Sequence, residues 1–261
     1  MNILKMQLPL VLSSHNVKKQ TKNKPSDFTI RYTQPIILDP NRQYELGLGR
    51  IISMSFTWFN ITSELNNQKI KYSSDGGKTW KDITFPPGTW NYVGFNDFIK
   101  EKTKTKTSDK TSYPITLKFN NTTFKTTINL TTNYQLDLTT SNFRDLIGFN
   151  KQILTRSENV GDYTPNLSQD TEILNIHCDL ISESLVDEDE TDIIYTFGTN
   201  DLQPSYAFTK EPLRVQYYPV NKYIINTLRI YITDGKRRII DLNDADTAFS
   251  LILREKKNYK R

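Results

Sequence analysis

One cysteine, Cys178, and two histidines, His15 and His177, are all that 261 residues offer of the soft metal ligands and the commonest catalytic base. A lone cysteine excludes an internal disulfide, which suits a reducing compartment. So few soft ligands leave a zinc site without its donor set. His15 stands in a lysine-rich stretch with nothing near it to orient the ring. His177 neighbours Cys178 in a strand pattern, where successive side chains face opposite sides of the sheet. That geometry disfavours a Cys–His dyad and reads Cys178 as a small packed hydrophobe. No phosphate-cradling glycine loop and no nucleophile elbow occurs. No apolar run approaches the roughly 20 residues that span a bilayer, so no membrane association is expected. The apolar residues of 1–12 are interrupted at Gln7 and Pro9 with no small-residue cleavage site after them, so no leader peptide is expected. The chain reads as a non-enzyme, with no catalytic, cofactor-binding or metal-binding residues and no cofactor.

What is present is a β-sheet palette. Hydrophobic residues make up only 36%, yet there are 14 tyrosines and 13 phenylalanines among abundant threonine and asparagine. Aromatic and β-branched residues fit a pleated, half-buried surface. The length allows one large β domain or two small ones with a real core. The net charge of +5 is concentrated at the ends. Lys5, Lys18, Lys19, Lys22 and Lys24 stand among residues 1–24 with no acid, and Lys256, Lys257, Lys260 and Arg261 close the chain. The bland reading is a pair of solvated ends; the functional one is an arm that reaches an acidic partner or nucleic acid, gaining affinity by counterion release. Glu183, Asp187, Glu188, Asp189, Glu190 and Asp192 form an acidic run. It lacks the conformational glycine of a calcium loop and reads as solvated.

Period-two alternation marks strands with one buried face. The C-terminal stretch shows it most strongly. Leu213, Val215 and Tyr217 face inward in 213–218, Leu228, Ile230 and Ile232 in 227–232, and Phe249, Leu251 and Leu253 in 247–254. Further strands are expected at 28–33, 44–58, 114–119, 124–130, 134–138, 173–180 and 192–197, with a bulge or corner at 50–52. Two short helices are expected, one over 96–103 capped by Asn96, the other over 141–147 capped by Ser141 and stopped by Gly148. Residues 102–111 read as a mobile Lys/Thr loop.

Ser73, Asp75, Gly77, Thr79 and Trp80 match the Ser-x-Asp-x-Gly-x-Thr-Trp pattern of an Asp-box hairpin. The chemistry is local: aspartate caps turn amides, glycine supplies positive φ, and tryptophan packs over the turn. Sialidases resemble the chain only in this hairpin. They carry several copies and an arginine triad, so a structural turn is expected here and a sialidase activity is the weakest of the functional readings.

The order of Phe28–Tyr32, Pro35–Leu38, Tyr44–Leu48 and Phe56–Ile61, with Leu213–Val220, Ile230–Gly235 and Leu251–Arg254 far downstream, resembles the minor capsid (penton) proteins of Polinton/Maverick elements, adintoviruses and virophages. The resemblance covers about 28–61 and 171–254 and is a gapped pattern rather than a short signature. It implies a mostly β single jelly-roll β-sandwich with an inserted small α+β domain. Residues 1–24 are then a flexible basic arm, 25–64 and 151–255 the jelly roll, 65–150 the insertion with the Asp-box hairpin, and 256–261 a basic tail. It further implies a homopentamer at the five-fold vertices of an icosahedral virion, assembled in the host cell beside a double jelly-roll major capsid protein. Arg214, Tyr218, Arg229, Tyr231, Ile252 and Arg254, on outward strand positions, are the expected interface residues, because tyrosine and arginine anchor interfaces. The rival reading is an attachment head binding a host receptor or glycan through Trp90, Tyr92 and Phe95.

Overall fold

The computed structural model describes residues 7–17, 23–108, 110–182, 184–186 and 189–256. The chain forms two compact units, one from Met1–Trp58 with Asp170–Arg261 and the other from Phe59–Gln169.

The first unit is built on eight strands: β1 (Gln7–Ser13), β2 (Asp27–Ile37), β3 (Tyr44–Ser55), β4 (Ile173–Cys178), β5 (Ile193–Gly198), β6 (Ala207–Lys210), β7 (Ile224–Thr233) and β8 (Ala248–Glu255). One sheet runs β1-β8-β3-β6 and the other β5-β4-β7-β2, with every pairing antiparallel. First pairs with eighth, second with seventh, third with sixth and fourth with fifth. That is the pattern of one long hairpin rolled over itself, a jelly roll. Alternation decides which side chains meet between the sheets. Leu46 and Leu48 from β3, Ile176 from β4, Leu228 and Ile230 from β7, and Phe249, Leu251 and Leu253 from β8 are all buried. Phe28 and Phe249 stack across the core at 6.3 Å. Two register shifts between β3 and β8, which skip Ile52 and Gly49 on either side of the paired Arg50 and Ile51, absorb the irregularity read at 50–52.

In the sandwich, two expectations need correcting. Residues 7–13 belong to no arm: β1 pairs along its whole length with β8, from Gln7 opposite Arg254 to Ser13 opposite Ala248. Leu10 and Leu12 are buried, and Pro9 is tolerated because β1 is an edge strand whose outer side needs no donor. Of the remaining arm and tail, 1–6, 18–22 and 257–261 lie outside the described residues. The run 213–218 is not a core strand either. Only Tyr218–Pro219 pairs, with Leu46 and Glu45 of β3, and Leu213 is fully exposed. The run crosses the outer face of β3, where Gly47 leaves room. A Cβ there would lie 2.6 Å from Val215 and 2.5 Å from the Gln216 carbonyl oxygen.

The second unit has its own core. Strands Ile153–Leu154, Gln135–Asp137, Lys69–Ser73 and Lys81–Thr84 form one sheet in that order, and Glu158–Val160, Lys125–Leu130 and Ile115–Asn120 another. Phe85, Phe95, Phe143 and Phe149 are fully buried at its centre. The unit is wider than 65–150 because Ile61 is buried in that core and 153–160 extends both sheets. Helix α1 (Tyr92–Thr103) starts four residues earlier than read, since Asn91 accepts the Gly94 N–H at its N-cap. Asn96 instead lies inside the helix and accepts the Leu117 N–H at 3.0 Å. Helix α2 (Phe143–Ile147) has Asn142 at the cap position, Ser141 accepting the Phe143 N–H, and Gly148 in the left-handed conformation at φ 73°. The Lys/Thr segment contains a small hairpin, Thr105–Lys106 against Thr111–Ser112.

Leu12→Ala should cost about 2–5 kcal/mol of unfolding free energy, because it leaves a cavity in the sandwich. Urea denaturation measures this, and an unchanged midpoint would place β1 outside the core.

Candidate assembly surface

Outward strand positions carry the polar chemistry of the sandwich. In the β4–β7 pairing His177 lies opposite Tyr231, and their rings stack at 4.2 Å. Arg229, two residues along the same face of β7, places its guanidinium 4.6 Å from the Tyr231 ring centre. Its two nitrogens grip the Asp27 carboxylate at 2.8 Å each. Asp192, just ahead of β5, receives the His177 Nδ1–H at 2.7 Å and the Tyr231 hydroxyl at 2.9 Å. On its other side His177 Nε2 lies 2.9 Å from the Thr233 hydroxyl, so both ring nitrogens are hydrogen-bonded. Burial opposes ionisation of Asp192, but the bonds from His177 and Tyr231 outweigh it and hold its pKa below the ordinary carboxylate value. Burial, reinforced by the bond to Asp192, raises the Tyr231 phenol.

This group ties β2, β4, β7 and the lead-in to β5 together. Its Asp–His–Thr order has the hydrogen-bond sequence of a triad, but Thr233 is 2% exposed, which closes its hydroxyl to any substrate. Cys178, one residue on, faces the core as strand geometry requires, and burial pushes its thiol up to about 12.

The opposite outer face is held by Arg254. It bonds Glu45 at 2.9 Å and lies 3.2 Å over the Tyr217 ring, clamping the 213–218 crossing onto the sheet. Ile252 is half-buried beside Gly49, where an added Cβ would come within 3.2 Å of it. Tyr218 donates its hydroxyl to Gln216.

The six expected interface residues therefore divide between two faces. Arg229 and Tyr231 stand on β7 in one sheet, Ile252 and Arg254 on β8 in the other. Their polar groups are bonded within the chain except for Arg214, which is exposed and has no ion-pair partner among the described residues. The Asp27–Arg229 and His177–Asp192–Tyr231 contacts escaped sequence reading. Asp192 was grouped with an acidic run, of which Glu183, Asp187 and Glu188 lie outside the described residues.

The Asp-box turn is built from side-chain bonds. Asp75 Oδ1 accepts the Lys78 and Thr79 N–H groups and the Ser73 hydroxyl, and Oδ2 accepts the Thr79 hydroxyl at 2.6 Å. The Thr79 hydroxyl and amide hold the Asp75 pKa well below the ordinary range. Gly76 and Gly77 take φ of 74° and 91°, as the turn demands. The aromatic residues considered for stacking on a sugar are packed instead. Phe95 is buried, Trp90 stacks on it at 5.9 Å and donates its indole N–H to Pro86, and Tyr92 stacks on Phe119 at 4.3 Å. Among the described residues no three His, Cys, Asp or Glu side chains gather at a metal-sized site.

No family model and no curated protein matches the chain. Among solved structures it is similar to the mavirus penton protein, at 12% identity and a TM-score of 0.52, across 97% of this chain and 100% of that one. A cryo-EM structure of the Sputnik virophage aligns at 11% identity and a TM-score of 0.43, across 96% of this chain and 98% of that one. The chain shares the mostly β, jelly-roll fold of the mavirus protein.

Two outcomes are expected from these contacts. Because the folded-state pKa of Asp192 is depressed, its stabilisation is complete above the unfolded value near 4 and is lost as pH falls through the lower folded value. Asp192→Asn should therefore remove part of the acid limb from a plot of denaturation midpoint against pH, leaving a curve no flatter than wild type if the contact is idle. Asp75→Ala should accelerate amide exchange at Lys78 and Thr79 without altering assembly. Unchanged exchange at both amides would mean that the aspartate does not hold the turn.

Proposed function

We propose that the chain is a penton-type minor capsid protein. It forms a homopentamer at the five-fold vertices of an icosahedral virion, beside a double jelly-roll major capsid protein. The observation that carries this reading is the extent of the likeness to the mavirus penton protein, which runs through sandwich and insertion together. A vertex ring is made of heterologous contacts, so each protomer must offer two different surfaces. The sandwich supports this with unlike free edges, β1 and β2 on one side of the strand order and β6 and β5 on the other. The role is architectural and needs no catalytic step. Lys5, Lys18, Lys19, Lys22 and Lys24, with Lys256, Lys257, Lys260 and Arg261, supply charge for packaged nucleic acid. A receptor- or glycan-binding head finds no matching support, since of its proposed stacking rings Phe95 is buried in the insertion core and Trp90 and Tyr92 pack against that core.

Mass measurement across a wide concentration range tests the assignment. A fivefold multiple of the protomer mass is expected, on its own or with the major capsid protein present. A strict monomer or trimer under both conditions would remove the vertex role.

A further inference from the structure

The edge of the sandwich at β5 holds an open slot. Its first wall is β5, which pairs with β4 and has no strand on its other side among the described residues. The Thr199 N–H bonds the Glu172 carbonyl. In the same register the Leu174–Phe197 and Ile176–Tyr195 pairs exchange bonds, while Thr196 and Gly198 turn their backbone groups away from β4. The Gly198 carbonyl is met by Lys210 Nζ at 2.9 Å, which agrees with that orientation. The Thr196 amide and carbonyl thus face the slot.

The second wall is the run 211–217. Its backbone makes no backbone hydrogen bond with any described residue. Between the walls lies a cavity of about 800 Å³, lined by Ile193, Ile194 and Tyr195 on one side and Pro212, Leu213 and Tyr218 on the other, with Leu48 among the lining residues. That size lies within the range of ligand sites. Leu213 on the slot wall is fully exposed, an apolar side chain without cover. The charges are unequal. Lys210 is bonded to Asp201, and Glu211 lies 3.9 Å from Arg50, whereas Arg214 has no ionic partner among the described residues.

We infer that this slot binds an extended acidic polypeptide segment by β-strand addition. Unpaired backbone on both walls selects a peptide, because main-chain donors and acceptors are satisfied by another main chain. The apolar lining takes side chains from alternate positions, and Arg214 takes a carboxylate. β5 has six residues, so a segment of about six residues, at roughly 3.3 Å each, fits its length. The inference does not depend on the pentamer and holds for a protomer that never assembles.

A labelled peptide, acetyl-Thr-Val-Glu-Val-Glu-Val-Thr-amide, titrated into the full chain by fluorescence anisotropy tests it. Two control peptides carry lysine for both glutamates, or N-methyl groups on alternate amides. The glutamate peptide should bind, and each control should bind about tenfold or more weakly, a factor set by lost charge pairing or lost backbone bonds. Arg214→Glu should reverse the preference between the glutamate and lysine peptides. Leu213→Asp should weaken binding while the melting temperature holds, since both residues are exposed. Amide exchange at Thr196 should slow in the complex. Failure to bind at millimolar peptide, indifference to N-methylation, or protection at β1 or β2 instead of β5 would each overturn the inference. So would Leu213→Asp abolishing self-association in a protein blind to every peptide, which would make the slot a contact between copies of the chain.

Discussion

The sandwich depends on β8 being paired on both sides. Leu251 lies opposite Leu10 of β1 and Leu48 of β3, joining the last strand to two of the first three. Each of these segments has an apolar face that its sequence neighbours cannot cover. Only when distant strands meet do Phe249, Leu251 and Leu253 leave water together. The contacts are therefore overwhelmingly non-local, and such topologies fold slowly because chain entropy is lost before burial repays it.

The outer faces answer a different problem, that of register. A slip of one residue would turn Leu251 and Leu253 to solvent, because side chains alternate strictly along a strand. Arg254 is fixed opposite Glu45, and Arg229 reaches Asp27 across the β7–β2 pair. Half-exposed ion pairs of this kind contribute at most about 1 kcal/mol each. Their geometry still discriminates against the slipped pairing, which would part both pairs. The stacked Arg229, Tyr231 and His177 add a further register mark, with Asp192 bonded to two of them.

Much of this was legible in the alternation. The strands that became β2, β3, β4, β5, β7 and β8 follow from residues such as Phe28, Leu46 and Ile230 repeating at every second position, whereas the jelly roll that closes them was implied by the family resemblance. The Asp-box turn was legible for another reason, since the side-chain bonds of Asp75 all lie within a few residues of it. Two kinds of feature were not. Alternation names two faces without saying which is covered, so Val215 and Tyr217 read as core although they lie over Gly47 outside. Nor does local pattern show a partner far along the chain. Leu8, Leu10 and Leu12 looked like an interrupted arm until β8 stood beside them, and Asp192 looked solvated until His177 and Tyr231 were placed across from it.

The insertion enters after β3 and leaves before β4, and its two ends meet. Asn60 donates to the Leu167 carbonyl at 2.9 Å and to the Trp90 carbonyl at 2.8 Å. The long loop it would otherwise represent is thereby replaced by a closed connection. Closing an unstructured loop costs more as it lengthens, about 0.6 kcal/mol for each doubling. An insertion that has already folded removes that burden from the strands on either side. It also emerges during synthesis before β4 to β8 exist, with a buried core of its own. In the finished chain the insertion is therefore a short tie between the two halves of the sandwich, spanning by contact what its contour length would otherwise leave open.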